Sequence, residues 1–158
     1  MRWIIALFMI GVSPANAESI DDLNVAEQDV RACFGDASVG ETAPECLGSA
    51  SGICQSHPQG QTTLGITACI SAETAVWDAI LNEQYGIAQQ VFEARDPEIS
   101  EALLKAQRAW ITYRDAECGL SYTRWAGGTI RSIVHANCMM VFTAERAIEL
   151  RDMRRNDR

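Results

Sequence analysis

Val91-Phe92-Glu93-Ala94-Arg95-Asp96-Pro97-Glu98-Ile99-Ser100 decides how this chain folds. It ends one helix and starts another within a single residue. Asp96 suits an N-cap, because its carboxylate can accept a backbone N–H that has no partner inside the helix. Pro97 suits the first helical position, where no N–H is required. Glu98 sits favourably in the field at a helix start. Upstream, Ile66, Cys69, Ile70, Val76, Trp77, Ile80, Leu81, Ile87, Val91 and Phe92 fit one broad helical stripe from about Gly65 to Arg95. Downstream, Leu103, Leu104, Trp110, Ile111 and Leu120 lie on a helix that runs to about Trp125, where Gly127-Gly128 breaks it. Thr129 can cap a last helix carrying Ile130, Ile133, Val134, Val141, Phe142, Ile148 and Leu150. Joints this short place neighbouring helices antiparallel.

Before Gly65 the pattern is weaker. A helix is expected from Ser19 to about Phe34, a turn over Gly35 to Gly40, a short helix from Pro44 to Gln55, and a polar loop from His57 to Thr63. No strand-period segment stands out. The expected fold is all-α: a disulfide-stapled bundle of about five helices with long antiparallel helical hairpins. At 158 residues the chain fits one compact domain.

Met1 to Ala17 has the layout of a cleavable secretory signal: Arg2, a short apolar stretch, Pro14, then Ala15-x-Ala17. Cleavage is expected before Glu18, and no Cys stands there to carry a lipid anchor. No later segment is expected to span a membrane. Residues 18–64 read as a Cys-rich N-terminal helical segment, 65–153 as a helical core and 154–158 as a basic tail. Loss of the signal removes one of 13 basic residues and none of 21 acidic ones, so the mature charge moves from −8 to −9. Such a chain repels nucleic acid and anionic lipid and attracts basic partners, the more so at low salt.

All six cysteines, Cys33, Cys46, Cys54, Cys69, Cys118 and Cys138, lie in the mature part. An even number in an exported chain reads as three disulfides. Residues symmetric about the turn of an antiparallel helix pair sit side by side. Cys118 and Cys138 are symmetric about Gly128, Cys33 and Cys46 about the Gly35–Gly40 turn, and Cys54 and Cys69 about the loop near Gly60. Sequential pairing is therefore expected, though other connectivities of the first four stay open. Neither CxxC nor CxxCH occurs, and His57 and His135 make no convincing metal set, so no metal or cofactor is expected.

The same symmetry about Asp96 sets Asp78 opposite Arg114, Leu81 opposite Ile111, Asn82 opposite Trp110 and Tyr85 opposite Gln107. One seam thus mixes aromatic, amide and oppositely charged groups. Three readings fit it: a structural Asp78–Arg114 pair buttressed by Asn82 and Gln107, a ligand or partner surface, or a catalytic site.

These residues also carry a family resemblance. Cys69-x8-Asp78-x2-Leu81-Asn82-x2-Tyr85, then Ala106-Gln107-Arg108-Ala109-Trp110-Ile111-x-Tyr113-Arg114-Asp115-Ala116-Glu117-Cys118, then Gly127-Gly128, Cys138 and Phe142-Thr143-x2-Arg146-x3-Leu150, resemble the LprI-type lysozyme-inhibitor domain. The likeness covers Thr67 to Met153. It implies an exported helical protein with paired cysteines that binds, and is not an enzyme. The implied partner is a protein of the cell envelope, such as a basic lysozyme occluded by the inhibitor, and the implied setting is the periplasm or the medium. Candidate binding residues are Asp78, Trp110, Tyr113, Arg114, Asp115 and Glu117, with Tyr122 and Trp125 beyond them. No inhibitory residue set is carried over from the family. An envelope assembly factor is the alternative. A cell-wall hydrolase is a third reading, but nothing marks any carboxylate pair such as Glu73 with Asp78 beyond the abundance of acids.

Overall fold

Two short helices, α1 (Glu27–Asp36) and α2 (Ser49–Cys54), precede three long ones, α3 (Thr63–Arg95), α4 (Pro97–Arg124) and α5 (Ile130–Asn156). Single 3-10 turns lie at Ile20–Asp22 and Pro58–Gln61. The computed structural model describes residues 19–156, and these contain no strand. The expected signal over Met1 to Ala17, and the last two residues of the expected tail, lie outside the described residues.

Asp96 separates α3 from α4, and its Oδ1 accepts the Glu98 N–H at 2.9 Å. The α4–α5 turn pivots on Gly127, whose φ of 87° is the left-handed region that glycine enters without strain. The three long helices therefore alternate in direction. α3 is the spine. It buries Ile70, Trp77, Ile80, Leu81, Ala88 and Phe92. α5 meets it with small residues, Ala136, Ala144 and Ala147, beside Met140 and Leu150. Small side chains let ridges of one helix settle into grooves of the other. α4 is more peripheral and buries Ser100, Leu103, Gln107 and Cys118.

Several boundaries differ from expectation. α1 begins at Glu27, not Ser19, because polar side chains upstream bond the local backbone. Asp22 accepts the Ser19 N–H, and Asn24 donates to the Asp22 carbonyl. α2 begins at Ser49, not Pro44, because Gly48 has φ 89° and cannot continue a right-handed helix. α3 begins at Thr63 because the Thr62 hydroxyl accepts the Gly65 N–H at 2.9 Å. Ile87 and Val91, expected in the apolar stripe, are exposed, while Glu73 and Gln84 hold core positions.

By length and composition α3 is apolar enough to cross a membrane, contrary to expectation. In the fold it is the core helix, with one side packed against the other elements and Leu64, Ile87 and Val91 exposed. α5 runs on to Asn156, into the stretch read as a basic tail. α5 continues through Arg154, whose guanidinium bonds the Gln84 side chain and the Leu150 carbonyl.

The cysteines pair in sequence order, Cys33–Cys46, Cys54–Cys69 and Cys118–Cys138, with Cα atoms 5.7, 5.7 and 5.5 Å apart. The first staples α1 to the loop before α2, the second ties the N-terminal segment to α3, and the third links α4 to α5. Non-covalent links hold α1 itself to α3. Arg31 of α1 forms a two-pronged bond to Glu83 of α3 at 2.8 and 3.0 Å. Phe34 meets Trp77 edge to face, with ring centroids 6.3 Å apart.

Arg151 closes the end of α1. Its Nη1 donates to the Phe34 carbonyl at 2.7 Å and its Nε to Asp152 at 2.8 Å, while Asp152 accepts the Gly40 N–H at 2.8 Å. Burial pushes the Asp152 carboxyl up, but the Arg151 hydrogen bond, the Gly40 amide and the charges of Arg151 and Arg155 outweigh it, leaving it below its ordinary value of 3.8. A carboxyl lowered by folding stabilises fully above its unfolded value and loses that contribution as pH falls through the folded one. Asp152→Asn is expected to cost about 2 kcal/mol at neutral pH. Denaturant melts should show that gap narrowing below pH 3.8. A gap that stays constant down to the acid limit would contradict the assignment.

Candidate functional site

The antiparallel α3–α4 pair leaves a cleft of about 280 Å³ along its seam. All eight residues placed there by turn symmetry line it: Asp78, Leu81, Asn82 and Tyr85 from α3, and Gln107, Trp110, Ile111 and Arg114 from α4. Leu104 and Arg108 complete the wall. Of the six candidate binding residues, the cleft unites Asp78, Trp110 and Arg114.

Their bonding differs from the structural pair that the symmetry allowed. Asp78 accepts a hydrogen bond from Asn82, one turn along its own helix, at 3.0 Å. Arg114 turns to Asp115, with Nε at 3.0 Å and Nη2 at 2.9 Å from Oδ1. It also lies over the Trp110 ring, 5.0 Å from the centroid. The Arg114 side chain is 15% exposed while that of Asp115 is 56% exposed, so the acid faces water and draws the cation along α4. Gln107 does not buttress Asp78 either. Its Oε1 accepts from Arg146 Nε of α5 at 3.0 Å. A double-mutant cycle over Asp78→Ala and Arg114→Ala is therefore expected to show coupling within about 0.3 kcal/mol. Coupling near 2 kcal/mol in melting experiments would restore the direct ion pair.

Arg146 is the residue that hydrophobic patterning passed over. It is buried, donates to Gln107 and to Glu149, and approaches Trp110 from 5.9 Å. Its place in the family pattern, four residues before the buried Leu150, was the available signal. Two guanidiniums, Arg114 and Arg146, thus hold the half-buried Trp110 ring in orientation.

The remaining candidates lie along α4 outside the cleft. Tyr113 is exposed and meets Phe142 of α5 edge to face at 5.6 Å. Glu117 is half-buried beside Cys118. Tyr122 and Trp125 are exposed towards the α4–α5 turn. His135 packs against Tyr122 with centroids 6.0 Å apart, and His57 is exposed. The cleft offers one carboxylate, Asp78, where glycoside hydrolysis needs two flanking a bond. Burial, then the charge of Glu149, raises the carboxyl of Glu145 on α5. Glu145 does not line the cleft. Among the described residues no group of three or more His, Cys, Asp or Glu could hold a metal ion.

A spine helix, a peripheral helix with an aromatic and charged outer face, and three disulfides define an all-α, disulfide-braced domain. The chain belongs to the LprI lysozyme-inhibitor family: residues 54–150 match the family described as lysozyme inhibitor LprI. The match takes in all of α3 and α4 and most of α5, together with the cleft between the first two. The family is one of inhibitors, not of enzymes. An uncharacterized protein of Rhizobium meliloti (strain 1021) is 28% identical over 131 residues, covering 77% of this chain and 86% of the relative. No solved structure matches. Disulfides and family together point to a protein that works outside the cytoplasm.

Proposed function

We propose that this protein is a periplasmic or secreted inhibitor that binds a lysozyme and blocks it by occlusion. The family match over residues 54–150 carries this reading. The chemistry of the surface supports it. The chain has a formal charge of −8, and lysozymes are often basic, so attraction speeds encounter. Specific contact then falls to aromatic and charged groups along α4: Trp110, Tyr113, Arg114, Asp115 and Glu117, with Asp78 across the cleft. Tyr113 and Asp115 supply exposed contact area, while the Arg114 stack keeps Trp110 ordered before binding.

The test is clearance of a bacterial cell suspension by lysozyme, with and without the oxidised mature protein, at low and high salt. Inhibition that weakens as salt rises is expected. Undiminished clearance across several lysozyme types would sink the reading and shift weight to an envelope-assembly role.

A further inference from the structure

Among the described residues, the segments at one end of this acidic chain carry no acid. Residues 46–72 and 118–144 form two runs of 27, and neither contains Asp or Glu. Their only Lys or Arg residues are Arg124 and Arg131. The fold brings both runs to the same pole, because the start of α3, the end of α4 and the start of α5 coincide there. Thr63 and Leu64 line one surface hollow with Gly127, Gly128 and Arg131. Thr67 and Ser71 line another with Tyr122 and His135. All acidic residues of the chain lie outside these two runs. Glu73, next after the first run, is buried and bonded to Gly48, Ser51 and Trp77.

This pole also gathers exposed apolar side chains. Ile53, Leu64, Leu120, Tyr122, Trp125 and Ile130, all within the two runs, are half of the twelve large hydrophobics exposed among the described residues. Leu64 is 69% and Trp125 53% exposed. Single exposed apolar residues need no explanation, but a cluster marks an interaction surface. At its tip is Arg124-Trp125-Ala126-Gly127-Gly128-Thr129-Ile130-Arg131. Arg131 lies over the Tyr122 ring at 4.8 Å. The Cys118–Cys138 disulfide ties the two helices behind the tip, so little ordering is left for binding.

We infer that the α4–α5 tip is the element that enters the substrate cleft of the lysozyme, with Trp125 and Arg124 as its contacts. This rests on the inhibitor reading above. A lysozyme cleft holds two catalytic carboxylates and binds sugar rings. A tip free of carboxylates, carrying two guanidiniums and an exposed indole, complements that interior. An acidic tip would be repelled. The acidic body behind it suits the basic outer surface of the same enzyme, so the two charge regions of the inhibitor match the two of its target. The α4 face from Trp110 to Trp125 spans about 22 Å, long enough to lie along the cleft rim while the tip enters.

The experiment titrates inhibition of lysozyme by the full oxidised chain and by Trp125→Ala, Arg124→Glu and Lys105→Glu. Lys105 is an exposed basic residue towards the opposite end of α4, paired with Glu101, so Lys105→Glu repeats the charge change away from the pole. Circular dichroism melts confirm that each variant folds. Trp125→Ala and Arg124→Glu are expected to weaken inhibition at least tenfold, and Lys105→Glu less than twofold. Folded tip variants that inhibit like the wild type would overturn the tip assignment and leave the inhibitor reading standing. A wild-type chain that leaves lysozyme active would overturn both. If such a chain instead cosedimented with phosphatidylglycerol vesicles through Trp125, the pole would belong to a lipid surface.

Discussion

Complete reduction is expected to unfold this protein at physiological temperature. The three disulfides close loops with sequence separations of 13, 15 and 20 residues. Each is worth about 3 kcal/mol from the lost freedom of the unfolded chain. The loops do not overlap in sequence, so their contributions combine to about 9 kcal/mol. Domains of this size are stable by about 5–15 kcal/mol in total. Melting curves with and without reductant, with thiol titration to prove reduction, should differ by about 20 °C or more. An unchanged melt after full reduction would remove the claim. Single-pair removal should sort the bridges by role. Without Cys33–Cys46, α1 still has Arg31 on Glu83 and Arg151 on the Phe34 carbonyl. Without Cys118–Cys138, the peripheral α4 loses its disulfide cross-link to α5 behind the tip. That pair should therefore affect inhibition more than its share of stability.

The long hairpins were legible because their signals are local. An Asp that accepts an N–H two residues on and a Pro that needs no N–H act within one turn of helix. Turn symmetry then transferred that local fact across space, and it placed every one of the eight seam residues in one cleft. It also matched the disulfide partners. Symmetry fixes height along a helix axis but not the rotamer a side chain adopts. Arg114 and Asp78 share the cleft, yet the neighbouring Asp115 and the Trp110 ring decide where the guanidinium lies.

Buried polar residues were the part hidden from hydrophobic patterning. Glu73, Gln84, Gln107, Arg146, Arg151 and Asp152 all occupy core positions. Each is tolerated there because a partner from another segment satisfies it. Gly40 is 112 residues from Asp152, and Gln107 is 39 from Arg146. Apolar spacing carries no record of such partners, so it assigned the stripe to Ile87 and Val91, which are exposed. The acid-free pole differs. Its two runs can be read directly from the letters, but their meeting at one end follows only from the antiparallel order of the helices.

Glu73→Ala is expected to be the most damaging single substitution among the buried acids. α2 is six residues long, and its N-cap, Gly48, has no side chain to satisfy the free N–H groups at the helix start. Glu73 of α3 supplies the cap from outside. Its Oε1 accepts the Gly48 N–H at 2.9 Å and its Oε2 the Ser51 N–H at 2.7 Å. Trp77 Nε1 adds a third bond at 3.2 Å. The carboxylate also opposes the positive end of the α2 dipole. Removing it leaves two buried donors and a part-buried one without an acceptor, at a combined cost of about 4 kcal/mol. The melting temperature should fall by about 10–15 °C. Glu73→Gln keeps one acceptor but turns an amide N–H2 towards a donor, so it should fall between wild type and alanine. Trp77→Phe removes a donor and leaves the carboxylate two partners, and should cost about 1 kcal/mol for that bond. Hydrogen exchange separates this account from general loss of packing: the Gly48 and Ser51 amides should exchange fastest in Glu73→Ala, while the α4–α5 hairpin keeps its protection. Equal loss of protection across all helices would show general loss of packing instead, and a melt within 2 °C of wild type on the roughly 4 °C per kcal/mol scale for such a domain would show that α2 is held by its flanking disulfides rather than by this carboxylate.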